Sequence, residues 1–244
     1  MPKTVPSKIV LPFLVAVSVA GLALVPLFLL QPNLQADPSP LRRPAISVLY
    51  SAVCVLGIVA VFYPGKCRLM FQKPNDPPST EKTSASALQF RGHHPDCEHF
   101  SANRITIGGR AFCAACSGLL VGAVVALAGT ALFSLGYFGL AADNLWVLIT
   151  GEVLMLVGLA QIKMRGFIKV AANALFVVGS FFCFVAVDLA GQSLLFDAYM
   201  LGLIVYLLWL RILLSEWNNN RICHRCQQCL SNGVGGAQRL RPTQ

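Results

Sequence analysis

IVLPFLVAVSVAGLALVPLFLL, residues 9–30, is a run of 22 residues without a charge. A helix of about 20 residues, rising 1.5 Å per residue, covers the roughly 30 Å of a bilayer's hydrocarbon layer. The run is continuous rather than alternating, so its spanning form is a helix that satisfies its own backbone groups, not a barrel strand. Lys3 and Lys8 ahead of it would also suit a secretory signal. The apolar part, however, exceeds the roughly 7–15 residues of a signal's central region, and Leu34-Gln35-Ala36 is a poor small-x-small cleavage site. The run reads as a true span.

Working outward with the same criterion, Ala45 to Tyr63 and Ser117 to about Leu140 are also free of charge. Three further runs carry one or two charges each: Asn144 to Ile162 with Glu152, Phe167 to Ala190 with Lys169 and Asp188, and Ser193 to Leu214 with Asp197 and Arg211. A composition 56% hydrophobic and only 12% charged agrees with a chain that lives in lipid. The expected fold class is an all-α integral membrane protein, a six-helix transmembrane bundle with a small cytoplasmic zinc-knuckle, ribbon-like insertion between the second and third helices. Residues 1–63 hold the first two spans, 64–92 a flexible linker rich in Pro, Ser, Thr and Lys, and 93–116 a Cys/His knuckle. Residues 117–215 hold the last four spans and 216–244 a basic, cysteine-rich tail. Gly118 and Gly122 form a Gly-x-x-x-Gly face at which another helix of the same bundle can approach closely.

Basic residues set the orientation. Alternating the connections between two sides places 17 of the 19 Lys and Arg on one side and only Arg42 and Arg43 on the other. The positive-inside rule then puts both termini and the central connection in the cytoplasm of a multi-pass cell-membrane protein. The net charge of +9 is mainly this topology signal, because the aromatic interleaving of a single-strand nucleic-acid groove is absent. The bilayer and a protein on the cytoplasmic side are the expected partners, and nucleic acid is not. Arg211 reads as a snorkelling residue at the inner end of the last span.

All four histidines and seven of the nine cysteines fall on the predicted cytoplasmic side, whereas Cys54 and Cys183 lie within spans as small buried hydrophobes. A reducing compartment argues against structural disulfides and for metal ligands or catalytic thiols. His94-x2-Cys97 followed 15 residues later by Cys113-x2-Cys116 has the form of a two-knuckle zinc site with one histidine in a cysteine's place, and His93 is the alternative histidine. Between the half-sites, Arg104-Ile-Thr-Ile107 and Arg110-Ala-Phe-Cys113 flank Gly108-Gly109, a dipeptide suited to a tight hairpin. That hairpin would return Cys113 toward Cys97.

The tail adds Cys223-His224-Arg-Cys226-Gln-Gln-Cys229. Its spacing resembles iron–sulfur ligation but lacks the fourth cysteine, so an iron–sulfur cluster is the weaker alternative to Zn2+. His224, His99 or Cys67 would complete a zinc site there, and head and tail could form one shared site or two. The candidate metal ligands are therefore His93, His94, Cys97, Cys113, Cys116, Cys223, His224, Cys226 and Cys229.

Cys97, Gly109-Arg110 and Cys113-Ala-Ala-Cys116-Ser-Gly118, leading into a glycine-rich span, resemble a prokaryotic family of small, functionally uncharacterised multi-span membrane proteins. That family carries Cys-His, Gly-Arg and Cys-Ala-x-Cys-Thr-Gly before its helices. The likeness covers about residues 93–140. In this chain the histidines precede the first cysteine and Ser117 stands in the usual threonine's place. The resemblance implies several spans with a Cys/His head and no particular activity.

Two other functions compete with a structural zinc head of sensing, scaffolding or gating output. Cys113 and Cys116 at the N-terminus of the third span would suit a quinone-linked thiol–disulfide oxidoreductase, since the helix dipole favours a thiolate there. Such oxidases usually work on the oxidising side, opposite to the predicted one. Glu152, about 12 Å inside the fourth span at 1.5 Å per residue, would suit a cation channel or transporter. Asp188 and Asp197 flank the last outer connection, and no Lys or Arg lies in the outer connections after the third span. The acids are thus expected to lack a basic neighbour and to draw cations toward Glu152. Phosphate loops, nucleophile elbows, His-Glu-x-x-His and dinucleotide fingerprints are absent from the sequence, and nothing in it demands an enzyme.

Overall fold

The computed structural model describes residues 9–29, 39–62, 90–91, 94–95, 98–137 and 144–225. Its helices are α1 (Val10–Leu29), α2 (Arg42–Phe62), α3 (Ala114–Ser134), α4 (Asn144–Leu159), α5 (Gly166–Gly191) and α6 (Leu194–Arg225). Among the described residues these six, with a 3-10 turn over Ala160–Lys163 extending α4, are long and apolar enough to cross a membrane. Large apolar side chains cover their outer faces, among them Leu49 and Leu56 on α2, Val121 and Val125 on α3, and Phe167 and Ile168 on α5. In water each would forgo about 1.5–3 kcal/mol of burial. Against lipid nothing is forgone, and the architecture is that of a multi-pass membrane protein.

Helix α5 is the axis of the bundle. Its spanning window is 67% buried, against 22–39% for the other five. Glycines explain why α3 and α4 both reach it. A Cβ on Gly118 would collide with the carbonyl oxygen of Val170, and one on Gly122 would sit 2.7 Å from that of Ala174. From the other side Gly151 faces Gly179, whose oxygen would lie 2.7 Å from an added Cβ. The Gly-x-x-x-Gly face thus packs inside the bundle, as expected, and backbones meet where lipid gives no hydrophobic push between helices.

Helix α2 packs on α3 and reaches α5 through Tyr50, whose ring stacks on Phe184 at 4.8 Å and whose hydroxyl shares a 2.9 Å hydrogen bond with that of Ser180. A buried phenol needs such a partner. Helix α1 lies against α6, where Tyr199 donates to the Gly21 carbonyl at 2.9 Å and Tyr206 to that of Leu14 at 3.2 Å.

Three boundaries differ from the hydropathy reading, each for a local reason. Helix α3 stops at Ser134, not near Leu140, because Gly136 takes φ 82°. Its N–H reaches Phe133 O and that of Tyr137 reaches Leu132 O, the paired bonds of a Schellman stop. Helix α2 begins at Arg42, three residues before the apolar run, since proline at position 44 is tolerated in a first turn that needs no N–H there. Helix α6 continues past Leu214 to Arg225, beyond the apolar run that hydropathy can register.

Between α2 and α3 lie two short antiparallel pairs, β1 (Phe90–Arg91) with β2 (His94–Pro95) and β3 (Arg104–Ile107) with β4 (Arg110–Cys113), separated by a 3-10 turn over Glu98–Asn103.

Candidate functional site

The β3–β4 hairpin is the one the Gly108-Gly109 dipeptide foretells. Ile107 pairs with Arg110 across a two-residue turn in which Gly108 and Gly109 hold φ of 55° and 76°, the left-handed pair of a type I′ turn. The register sets Cys113 opposite Arg104, and the chain passes from Cys113 directly into α3. Cys113 occupies the N-cap with extended backbone, and Cys116 follows on the first turn. At this spacing two side chains are neighbours on a helix, and here they stand at its positive end. Both cysteines are half-buried.

Beneath them lies a cluster of buried polar side chains that the hydropathy reading missed. Lys169 and Arg211 are each only 4% exposed. Lys169 Nζ donates to Asn103 Oδ1 at 2.7 Å, which fastens the head to α5. Arg211 donates through Nε to Asn173 Oδ1 at 2.9 Å, through Nη2 to the same oxygen, and through Nη2 to Gln161 Oε1 at 3.5 Å. Asn173 in turn donates to the Lys169 carbonyl at 2.6 Å. Among the described residues neither cation is paired with a carboxylate. Instead, Cys113 lies within electrostatic reach of Lys169, and Cys116 and Cys113 within reach of Arg211. The expectation that Arg211 snorkels to water does not hold: Asn173 and Gln161 offer acceptors inside the bundle, so the guanidinium is satisfied without leaving it.

Of the other candidate ligands, His93, Cys97, Cys226 and Cys229, and the side chains of His94, Cys223 and His224, lie outside the described residues. Cys67 and the His99 side chain do as well. Among the described residues no group of three or more His, Cys, Asp or Glu gathers as a metal would require. The backbone of α6 carries Cys223 about 18 Å beyond Arg211 along the helix axis, at 1.5 Å per residue. Cys54 and Cys183 are buried, in keeping with their reading as small hydrophobes.

At the opposite end of the bundle Asp188 and Asp197 are 0% and 1% exposed. They do not lack basic neighbours. Arg42 Nη1 contacts Asp188 Oδ1 at 3.0 Å and also Asp197 Oδ2, Arg42 Nη2 donates to the Asp188 carbonyl at 3.2 Å, and Arg43 Nε donates to Asp188 Oδ2 at 2.9 Å. The first turn of α2 lies beside the end of α5 and the start of α6. Two arginines assigned to a different connection therefore meet the two acids in space, which corrects the sequence expectation.

Glu152 is half-buried on α4, its Oε1 enclosed and without a hydrogen-bond partner among the described residues, within electrostatic reach of Cys183. In comparisons with known proteins, no family model matches the chain, and no curated protein or solved structure matches it either.

Proposed function

We propose that the chain is a membrane protein whose Cys113–Cys116 pair anchors a zinc-binding Cys/His head on the cytoplasmic side, with Cys97 and His94 or His93 as further ligands. In this reading the tail cysteines Cys223, Cys226 and Cys229, with His224, hold metal of their own or join the head. The observation that carries the reading is the hairpin ending on Cys113, which sets both thiols at the start of α3 beside the buried Lys169 and Arg211. The donor set suits the ion: thiolates are soft ligands, and metal-bound thiolates carry the negative charge that two buried cations need. Bound zinc would cross-link a segment too poor in apolar residues to fold unaided. Because Asn103 of the head holds Lys169, the state of the head would be felt by α5 and, through Asn173 and Arg211, by α6. That linkage suits a sensing, scaffolding or gating role. The Cys-Ala-Ala-Cys-Ser-Gly resemblance to small prokaryotic membrane proteins fits the same architecture.

Elemental analysis of the purified full-length protein should find zinc near one or two ions per chain. A Cys113→Ser, Cys116→Ser variant should lose the head's share, and unchanged content would refute the assignment. A brown rather than colourless preparation would instead mean an iron–sulfur cluster. The same two thiols support a second reading, favoured by their place at a helix N-terminus near two cations. In it Cys113 and Cys116 are oxidised to a disulfide while a quinone takes two electrons and two protons to become a quinol. Thiol trapping in intact cells that finds a disulfide dependent on quinone supply would favour that chemistry over zinc.

Glu152 supports a third reading, a cation path through the bundle, because an enclosed carboxyl oxygen without a partner at this depth is costly unless it is used. In proteoliposomes the Glu152→Gln variant should conduct cations several-fold more slowly than the parent if the path exists. Equal flux would dismiss it.

A further inference from the structure

At the end of the bundle away from the thiols, a cleft of about 450 Å³ is lined by Ser39, Arg42, Arg43, Ser134 and Gln192, together with two prolines. No carboxylate lines it among the described residues. Both acids of the ion-paired network are buried behind it, whereas the Arg43 side chain is 41% exposed. Arg43 spends Nε on Asp188, and its guanidinium lies 4.9 Å from the centre of the Phe133 ring, which fixes its plane. Helix α2 also begins here, with two arginines and no acid in its first turn. The positive end of its dipole therefore adds to arginine charge instead of offsetting it. The four charged side chains of the network sum to zero, with both carboxylates buried and the Arg43 guanidinium partly exposed at the cleft.

Apolar side chains flank the lining in sequence: Leu41, Leu135, Leu194 and Leu195 lie within three residues of a lining position and are all exposed. They continue the lipid-facing surface of six apolar helices up to a polar recess at the helix ends, where headgroups begin. Gln192 stands at the recess as the left-handed cap that ends α5, with φ 44°.

We infer that this cleft holds the phosphate group of a membrane lipid, with Arg43 as its chief ligand and the flanking leucines against the glycerol and upper acyl chains. Arginine suits a phosphate because its planar fork presents parallel N–H donors. The site is independent of the thiol cluster and of any metal there.

Native mass spectrometry of the purified full-length protein, with three probes, tests this. Phosphatidylglycerol should be retained at one per chain and about tenfold more tightly than diacylglycerol of the same acyl chains, and millimolar inorganic phosphate should not displace it. Arg43→Gln should weaken phosphatidylglycerol retention about tenfold. Gln192→Glu leaves every ion pair in place and adds a negative charge to the recess, so it should lower retention similarly even if Arg43→Gln fails to fold. Equal retention of diacylglycerol would mean acyl-chain contact alone, displacement by phosphate would mean a small-anion site, and full retention in Gln192→Glu would remove the cleft from the account. Each of these outcomes overturns the inference.

Discussion

Gly118→Val should leave little folded protein. Its Cβ would have to occupy the space of the Val170 carbonyl oxygen and lie 2.7 Å from the Cβ of Asn173. Neither neighbour can swing aside, since one is backbone and the other is the root of the side chain that holds Arg211. The only relief is to move α3 away from α5, which opens the tightest contact of the bundle and loosens the amide that satisfies a buried cation. Overpacking in ordinary cores costs about 1–3 kcal/mol. Here helix displacement and an under-satisfied guanidinium add to it, so a loss above about 3 kcal/mol is expected. Size-exclusion profiles and thermal unfolding in detergent read the effect. Gly57→Ala and Gly202→Ala are the controls: an added Cβ meets nothing within 4 Å at either position, and both should unfold like the parent or slightly later. Gly118→Val behaving like those controls would remove the close α3–α5 contact from the account.

Asp188→Ala should be nearly as damaging. The Asp188 carboxylate accepts from Arg43 and is ion-paired with Arg42, whose side chain is only 6% exposed. Removing the carboxylate leaves the nearly buried Arg42 with Asp197 and the backbone carbonyl of residue 188 as its only partners among the described residues. Breaking a buried pair from one side costs about 3–5 kcal/mol, which for a chain of this size lowers the unfolding midpoint by roughly 6–20 °C. Replacing the buried members together by apolar residues, as in Arg42→Met, Asp188→Leu, Asp197→Leu, should recover most of that loss, because no charge is then stranded. A midpoint in Asp188→Ala within about 2 °C of the parent would show that water reaches the network and screens it.

The spans were the most legible part of the chain, because lipid demands about 20 apolar residues for each crossing and little else satisfies that demand. The hairpin was legible too, since Gly108-Gly109 can hold two left-handed residues in succession where most sequences cannot. What the sequence hid was pairing across distance. In one dimension Arg42 and Arg43 read as a topology signal, and Asp188 and Asp197 as acids without partners. A one-dimensional reading could not place the start of α2 beside the junction of α5 and α6. Lys169, Asn173, Gln161 and Arg211 were hidden differently. Each interrupts a hydrophobic run singly, and only the helical fold turns them toward one another. Their signal was available in one respect: a lysine and an arginine inside spans are costly enough to call for partners. The spacing of Cys113 and Cys116 was visible in the sequence, but the two cations that lie beneath them in the fold were not.

The Arg42 and Asp188 contact joins residues 146 apart in the chain. At a ribosomal pace of roughly 5–20 residues per second, the first arginine waits about 7–30 s for its counter-charge to be synthesised. During that interval the first turn of the second helix lacks the counter-charge that it has in the folded bundle, and only the arrival of the last two helices completes the network.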